Sequence, residues 1–299
     1  MSGAVIDLSK IPFPNAVEAL DFETLLQQRK SDLITRDPSL AVVLAVESEP
    51  LTKLLEEDTY RELILRQRVN DAVKAVTLAH AVGTDLDNLC AWRNIVRLEL
   101  VPGDANAVPP VAPIMESDAE LRHRFLLSFS GESVAGPAGS YLYHAMSADA
   151  EVLDAAVESP TPCVVNVVIL SRTGTGIPTQ ILMNTVLAAL SDQTVRPIGD
   201  RVTVLPATIV DFAIAATLTV YPGPDAAVLQ TEAELRLATY LDAHHKLGHD
   251  ITRSGILAAL HVEGVQNVTL AQPIDDVVTT AYQAAHVTTI NVTMGATNV

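Results

Sequence analysis

An α+β fold is predicted, with an N-terminal region of long helices followed by two small α/β modules in tandem. Three observations predict it. Through the first hundred residues, apolar side chains recur with the 3.6-residue period of a helix. Beyond residue 150 the pattern changes to short, β-branched apolar runs that alternate with helical stretches. Finally, 48% of the 299 residues are apolar, 18% are charged and the mean hydropathy is +0.27, so the chain can bury more than one core and is not disordered. The expected divisions are a helical bundle region at 1–97, a connector with short helices at 98–150, and α/β modules at 151–207 and 208–299.

The first helix, Val17 to Ile34, carries Leu20, Leu25, Leu26 and Leu33 among charged neighbours, and Pro38 closes it. Pro50 suits the first turn of a longer helix, whose pattern runs from Leu51 to about Val82, where Gly83 offers a C′ stop. Its stripe is Leu65, Val69, Ala72, Val73, Val76 and His80, at i, i+4, i+7, i+8, i+11 and i+15. Leu54, Leu55, Tyr60, Leu63 and Ile64 add apolar surface that does not all fall on that stripe. At 1.5 Å per residue such a helix extends about 45 Å, more than one small domain needs. A bundle is therefore expected, one that a second chain can share, with Leu65, Val69, Val73 and Val76 as its candidate partner-facing residues.

Leu98 to Pro113 is rich in Pro, Gly and Ala and reads as a connector with short extended pieces. Ser117-Asp118-Ala119-Glu120 is a capping box that starts a helix through Phe129, and Ser140 to Ala148 forms a second, short helix. Strands are expected at Val152–Val157 and Cys163–Leu170 around a Pro160/Pro162 turn, followed by a helix from Pro178 to Leu190 and a strand at Arg201–Leu205. The second module reads as strand Asp211–Val220, helix Glu232–Leu247, helix Arg253–His261, strand Val265–Leu270 and strand Val287–Val292, with Thr231 to Glu234 as another capping box. The two modules share element order only loosely, and no sequence repeat suggests a solenoid.

Composition narrows function. Nineteen basic against 36 acidic residues give a net charge of −17, a field that repels phosphate backbones and anionic lipid, so neither nucleic acid nor membrane is an expected partner. Aromatics make up 4%, with one Trp, too few for base- or sugar-stacking surfaces. Cys90 and Cys163 lie far apart and read as reduced core thiols. The opening residues lack the basic and apolar regions of a signal peptide. Apolar runs such as Ala41–Val46 and Val164–Leu170 fall far short of the ~20 residues that span a bilayer, so a soluble protein is expected.

Three motifs invite chemistry. Asp242, His245 and His249 have helical i, i+3 and i, i+4 spacing that could present ligands to zinc, which makes a metal-dependent hydrolase the alternative reading. Gly248, a natural C′ residue, puts His249 off that helix, and the general-base Glu of H-E-x-x-H is missing, so His and Lys at a helix C-terminus are the plainer reading. Gly174-Thr175-Gly176 between a strand and a helix lacks the Lys and third Gly of phosphate loops and reads as a tight turn. No G-x-S-x-G elbow exists, Cys163 reads as a buried structural thiol, and Arg122-His123-Arg124 reads as a solvated basic cluster. No cofactor, metal or catalytic residue is expected.

The order of several segments resembles a known family. Glu47 to Glu56, Tyr60-Arg61-Glu62-Leu63, Arg68-Val69-Asn70, and Ala81 to Leu89 with its A-x-G-x-x-L-D-x-L character are similar to the N-terminal part of the phage baseplate J-like proteins. Ser117 to Arg122, Gly139-Ser140-Tyr141, Ser159-Pro160-Thr161-Pro162, Val195-Arg196-Pro197 and Asp200 to Val204 match further signatures, so that the likeness runs from about residue 17 to the C-terminus. One departure is Cys163, where the family pattern has Gly after the Ser-Pro-x-Pro turn. The resemblance implies a structural wedge subunit of a contractile-tail baseplate, in a phage or a phage-tail-like particle assembled in the host bacterial cytoplasm. It further implies a second copy of the chain and a smaller tail-protein-I-type subunit as bundle partners. The C-terminal domains would link wedges, with other baseplate and hub proteins, into a ring whose rearrangement triggers sheath contraction.

Overall fold

The computed structural model describes residues 8–14, 16, 18–223 and 225–297. They form two units: one holds the described residues up to Arg97 with Ser117–Arg122, the other Leu98–Glu116 with the residues from His123 onward. The architecture is α+β, helical at the N-terminal end and built on small sheets after it.

In the N-terminal unit, α1 (Phe22–Arg36) begins at Asp21, whose carboxylate accepts the Glu23 and Thr24 amides at 3.0 and 3.3 Å. A 3₁₀ turn at Pro38–Leu40 and the short α2 (Ala41–Leu44) lead into α3 (Pro50–Ala75), with Pro50 in its first turn, and α4 (Gly83–Ala91) follows. Leu26, Leu44 and Leu55 are the buried centre, surrounded by Phe22, Leu33, Ile34, Leu40 and Leu51. Two sequence expectations need correction. The first helix starts at Phe22 rather than Val17, which lies outside the described residues. The long helix ends at Ala75, well short of Val82: Val76 leaves helical geometry at ψ 3°, and the Thr77 amide and hydroxyl both donate to the Lys74 carbonyl. Gly83, at φ +55°, does not stop that helix but opens α4, an element the periodicity did not reveal.

The second unit opens with an antiparallel ribbon of β1 (Glu99–Val101) and β2 (Ile114–Met115). Just beyond it Glu116 takes two hydrogen bonds from Arg124, each 2.7 Å, and one from the Leu98 amide at 3.1 Å. This ion pair is almost fully buried, at 2% and 5% side-chain exposure. It ties the ribbon to α5 (Asp118–Gly131), the helix that the Ser117/Glu120 box starts: the Ser117 amide donates to Glu120 at 3.0 Å, and the Glu120 amide to the Ser117 hydroxyl at 3.3 Å.

Next come α6 (Ala138–Ala148), β3 (Val152–Thr161), β4 (Val164–Ser171), α7 (Gln180–Leu190) and β5 (Arg201–Pro206). They form a sheet of order β3-β4-β5, antiparallel then parallel. Val165, Val167 and Ile169 of β4 pack with Tyr141 and Ala145 of α6 and Leu182, Val186 and Leu190 of α7. Val168 and Leu170 point the other way into a second apolar layer. Burial on both faces explains why β4 is a continuous apolar run rather than an alternating one.

The last sheet has order β7-β6-β8, with β6 (Thr208–Val220) antiparallel to β7 (Val265–Gln272) and parallel to β8 (Gln283–Thr297). Helices α8 (Ala226–His244) and α9 (Arg253–Leu260) bury Leu229, Leu237, Ile256 and Leu260 against Ile214, Leu218, Val265 and Val292. Here too a boundary moves. The cap of α8 is Asp225, which accepts the Ala227 amide at 2.9 Å, whereas the supposed cap Thr231 lies inside the helix with its hydroxyl on the Ala227 carbonyl. At its other end α8 stops at His244, with His245 as its C-cap, rather than at Leu247.

Candidate assembly interface

The surface of α3 follows from how its apolar residues are shared out. Leu51 and Leu55, in its first half, are spent on the α1/α2 core. In the second half the stripe stays largely exposed among the described residues: Leu65 is 63% exposed, Val69 58% and Val76 71%, while Val73 is half-buried. Leu54, Tyr60 and Ile64 are exposed as well. Of the four residues expected to face a partner, Leu65, Val69 and Val76 are thus exposed, with Val76 at the helix cap and not within the helix.

Beside the stripe, Glu18 lies against α3. The side-chain amide of Asn70, 4% exposed, grips its backbone from both sides, accepting the Glu18 amide at 3.0 Å and donating to the Glu18 carbonyl at 2.9 Å. Arg66 pairs with Glu18 and Glu62, and Glu62 also takes the Arg29 guanidinium of α1. The hydrogen bond from Arg29, then that from Arg66, hold the Glu62 carboxyl below the ordinary carboxylate range. Between Glu18 and the helix lies a groove of about 290 Å³, with Leu65 and Val69 among its lining and Glu18, Glu62, Arg66 and Asn70 supplying its polar groups. Apolar surface with ion pairs beside it is the make-up of a protein–protein interface.

The alternative site does not assemble. Because α8 ends at His244, His245 and His249 leave the helix in different directions. The Nδ1 of His245 bonds the Ala285 carbonyl at 2.8 Å, while His249 lies against the His244 ring, centroids 6.0 Å apart. Burial, followed by the nearby Lys246, lowers the His249 pKa. His245 and Asp242 do line a cavity of about 270 Å³ with Arg172, Phe212 and His286. Among the described residues, however, no group of three or more His, Cys, Asp or Glu is placed to hold a metal ion. Gly174 and Gly176, at φ +64° and +97°, make the expected tight turn, closed by the Gly176 amide on Thr173 and the Ser171 amide on Gly176. Cys163 is exposed, not buried, and stands at φ +64°. No described helix is long and apolar enough to cross a membrane.

Known proteins are similar to this chain along most of its length. Residues 47–104 match the model of the baseplate J-like N-terminal domain, 133–206 that of the baseplate J-like central domain, and 212–293 that of the baseplate J-like protein C-terminal domain. Baseplate protein J of Escherichia phage P2 is 47% identical over 98% of this chain and 99% of its own length. A chain in the cryo-EM structure of the anti-feeding prophage baseplate is 14% identical with a TM-score of 0.40, over 60% of this chain and 43% of that one.

Proposed function

Since the chain belongs to the baseplate J-like family and is a structural component of a phage-type baseplate, we propose that it acts as a wedge subunit of a contractile tail. In this reading the exposed half of α3 enters a helical bundle with a second copy and with a smaller tail-protein-I-type subunit. The C-terminal sheets link wedges, with other baseplate and hub proteins, into a ring whose rearrangement triggers contraction of the sheath.

The uncovered apolar stripe on α3 carries this proposal. Each Leu or Val fully buried contributes about 1.5–3 kcal/mol. Leu65, Val69 and Val76 therefore represent several kcal/mol that the isolated chain leaves unused. Ionised groups on that stripe would have to be buried unpaired. Replacing Leu65 and Val69 together by Glu is accordingly expected to abolish co-purification with the small partner, while the two sheets keep their secondary structure and melting behaviour. Retained co-purification would reject α3 as the docking element. Leu65 and Val69 suit the test better than Val73, whose partial burial would mix loss of binding with loss of packing.

A further inference from the structure

The two sheets of the second unit each own a core, and what joins them is of a different kind. A single residue, Ala207, links the end of β5 at Pro206 to the start of β6 at Thr208. Around it lies a thin apolar layer with Val168, Leu170, Ala207 and Ala284 buried and Leu247 and Tyr282 packed against them. The polar ties across this layer come from one face of β3, where Asp154, Ala156 and Glu158 stand two residues apart in regular register with β4. An oxygen of Asp154 accepts the Leu247 amide at 3.0 Å, and burial, followed by the charge of Glu158, pushes the Tyr282 phenol above its ordinary range.

The turn that carries Leu247 is itself held by the second sheet. The His245 ring bonds the Ala285 carbonyl, and the Gly248 amide donates to the Gln283 carbonyl at 2.9 Å. Residues 245–248 are thus a peg fixed to the last sheet and plugged into β3.

We propose that this peg and the Asp154 carboxylate form a releasable latch, and that the two sheets part about the Pro206–Thr208 link without either core unfolding. The inference stands apart from the reading of α3 and concerns this chain alone. Several features favour release. The link is single, and the layer is small beside the cores that flank it. The latch also buries a polar group: burial pushes the Asp154 carboxyl above the ordinary carboxylate range, against the opposing effect of its backbone hydrogen bonds from Leu247 and Ala155 and of the facing Lys246 and His123. His249, on the same turn as Lys246, faces Asp154 too. A buried carboxyl held this way regains water when the joint opens, so closed and open states differ less than an all-apolar joint would allow.

The test uses the full chain. Spin labels are placed on the exposed Cys163 in the first module and on a Val278→Cys variant, Val278 being 70% exposed in the second, while Cys90 is buried. Asp154→Ala, which deletes the acceptor, and Leu247→Ala, which thins the layer, are each expected to broaden the inter-label distance and to add a second, longer distance. Hydrogen-exchange protection of β4 and β6 should stay within twofold of the unmodified chain. An unchanged distance in both variants would overturn the latch. So would loss of β4 and β6 protection together with the joint, because the sheets would then be one cooperative block with nothing to part.

Discussion

At the scale of single residues, Cys163 shows both the reach of the sequence and its limit. The resemblance leads to an expectation of Gly after the Ser-Pro-x-Pro turn, and a physical reason to favour it is visible: this position has φ +64°, the left-handed region in which a side chain is strained. The apolar run that follows led instead to a buried strand residue, because periodicity cannot report a backbone dihedral. The strand in fact begins one residue later, at Val164, while the Cys163 carbonyl is still used, accepting the Arg201 amide at 2.8 Å. Relief of the left-handed strain is worth about 1–2 kcal/mol, and the greater freedom of glycine in the unfolded chain offsets about 0.4–1 kcal/mol of it. Cys163→Gly should therefore raise stability by about 0.5–1 kcal/mol, seen as a higher midpoint with unchanged slope in urea unfolding. A lower midpoint would mean that the thiol makes contacts worth more than the strain. The histidines near residue 245 teach a related lesson. Their spacing suggested ligands only for as long as the helix was taken to continue, and its end at His244 separates them.

At the scale of elements, most were legible and their ends were not. The strands of both sheets and the helices α5, α7 and α9 follow from β-branched apolar runs, capping chemistry and periodicity, which act over a few neighbouring residues. The start of α8 was misplaced because Thr231 to Glu234 has the letters of a capping box, while the side chain that meets a free amide belongs to Asp225. Glu234 instead takes a hydrogen bond from Gln230 one turn earlier. A cap is defined by an unpaired amide, and sequence does not say which amides are unpaired. The two assignments differ in outcome. Asp225→Ala should cost about 1 kcal/mol, the usual worth of an N-cap, whereas Thr231→Ala should cost only a few tenths or nothing, since Ala is the better helix former at an interior position. Thermal unfolding of the two variants side by side decides between them. The exposed stripe on α3 was legible for the opposite reason: its message is a surplus of apolar surface, and surplus can be counted without knowing the packing.

At the scale of the whole molecule, the charge sets how association should respond to its surroundings. Each copy carries −17, so two copies repel at long range, and any attraction between them has to come from short-range burial such as the α3 stripe offers. Salt then separates two possible origins of self-association. If ion pairs held copies together, screening would weaken them, as it does exposed pairs such as Arg61–Glu57. If apolar surface holds them against a like-charge field, screening removes the opposing term and leaves the favourable one nearly intact. The Debye length falls from about 10 Å at 0.1 M to about 3 Å at 1 M salt, enough to silence most of the repulsion between neighbouring surfaces. Sedimentation of the purified chain should accordingly show a weight-average mass that rises with salt over this range, and Leu65→Glu with Val69→Glu should flatten that rise. A mass that instead falls with salt would assign cohesion to charge pairs, and the stripe on α3 would then be an incidental exposure rather than the surface through which the protein joins its assembly.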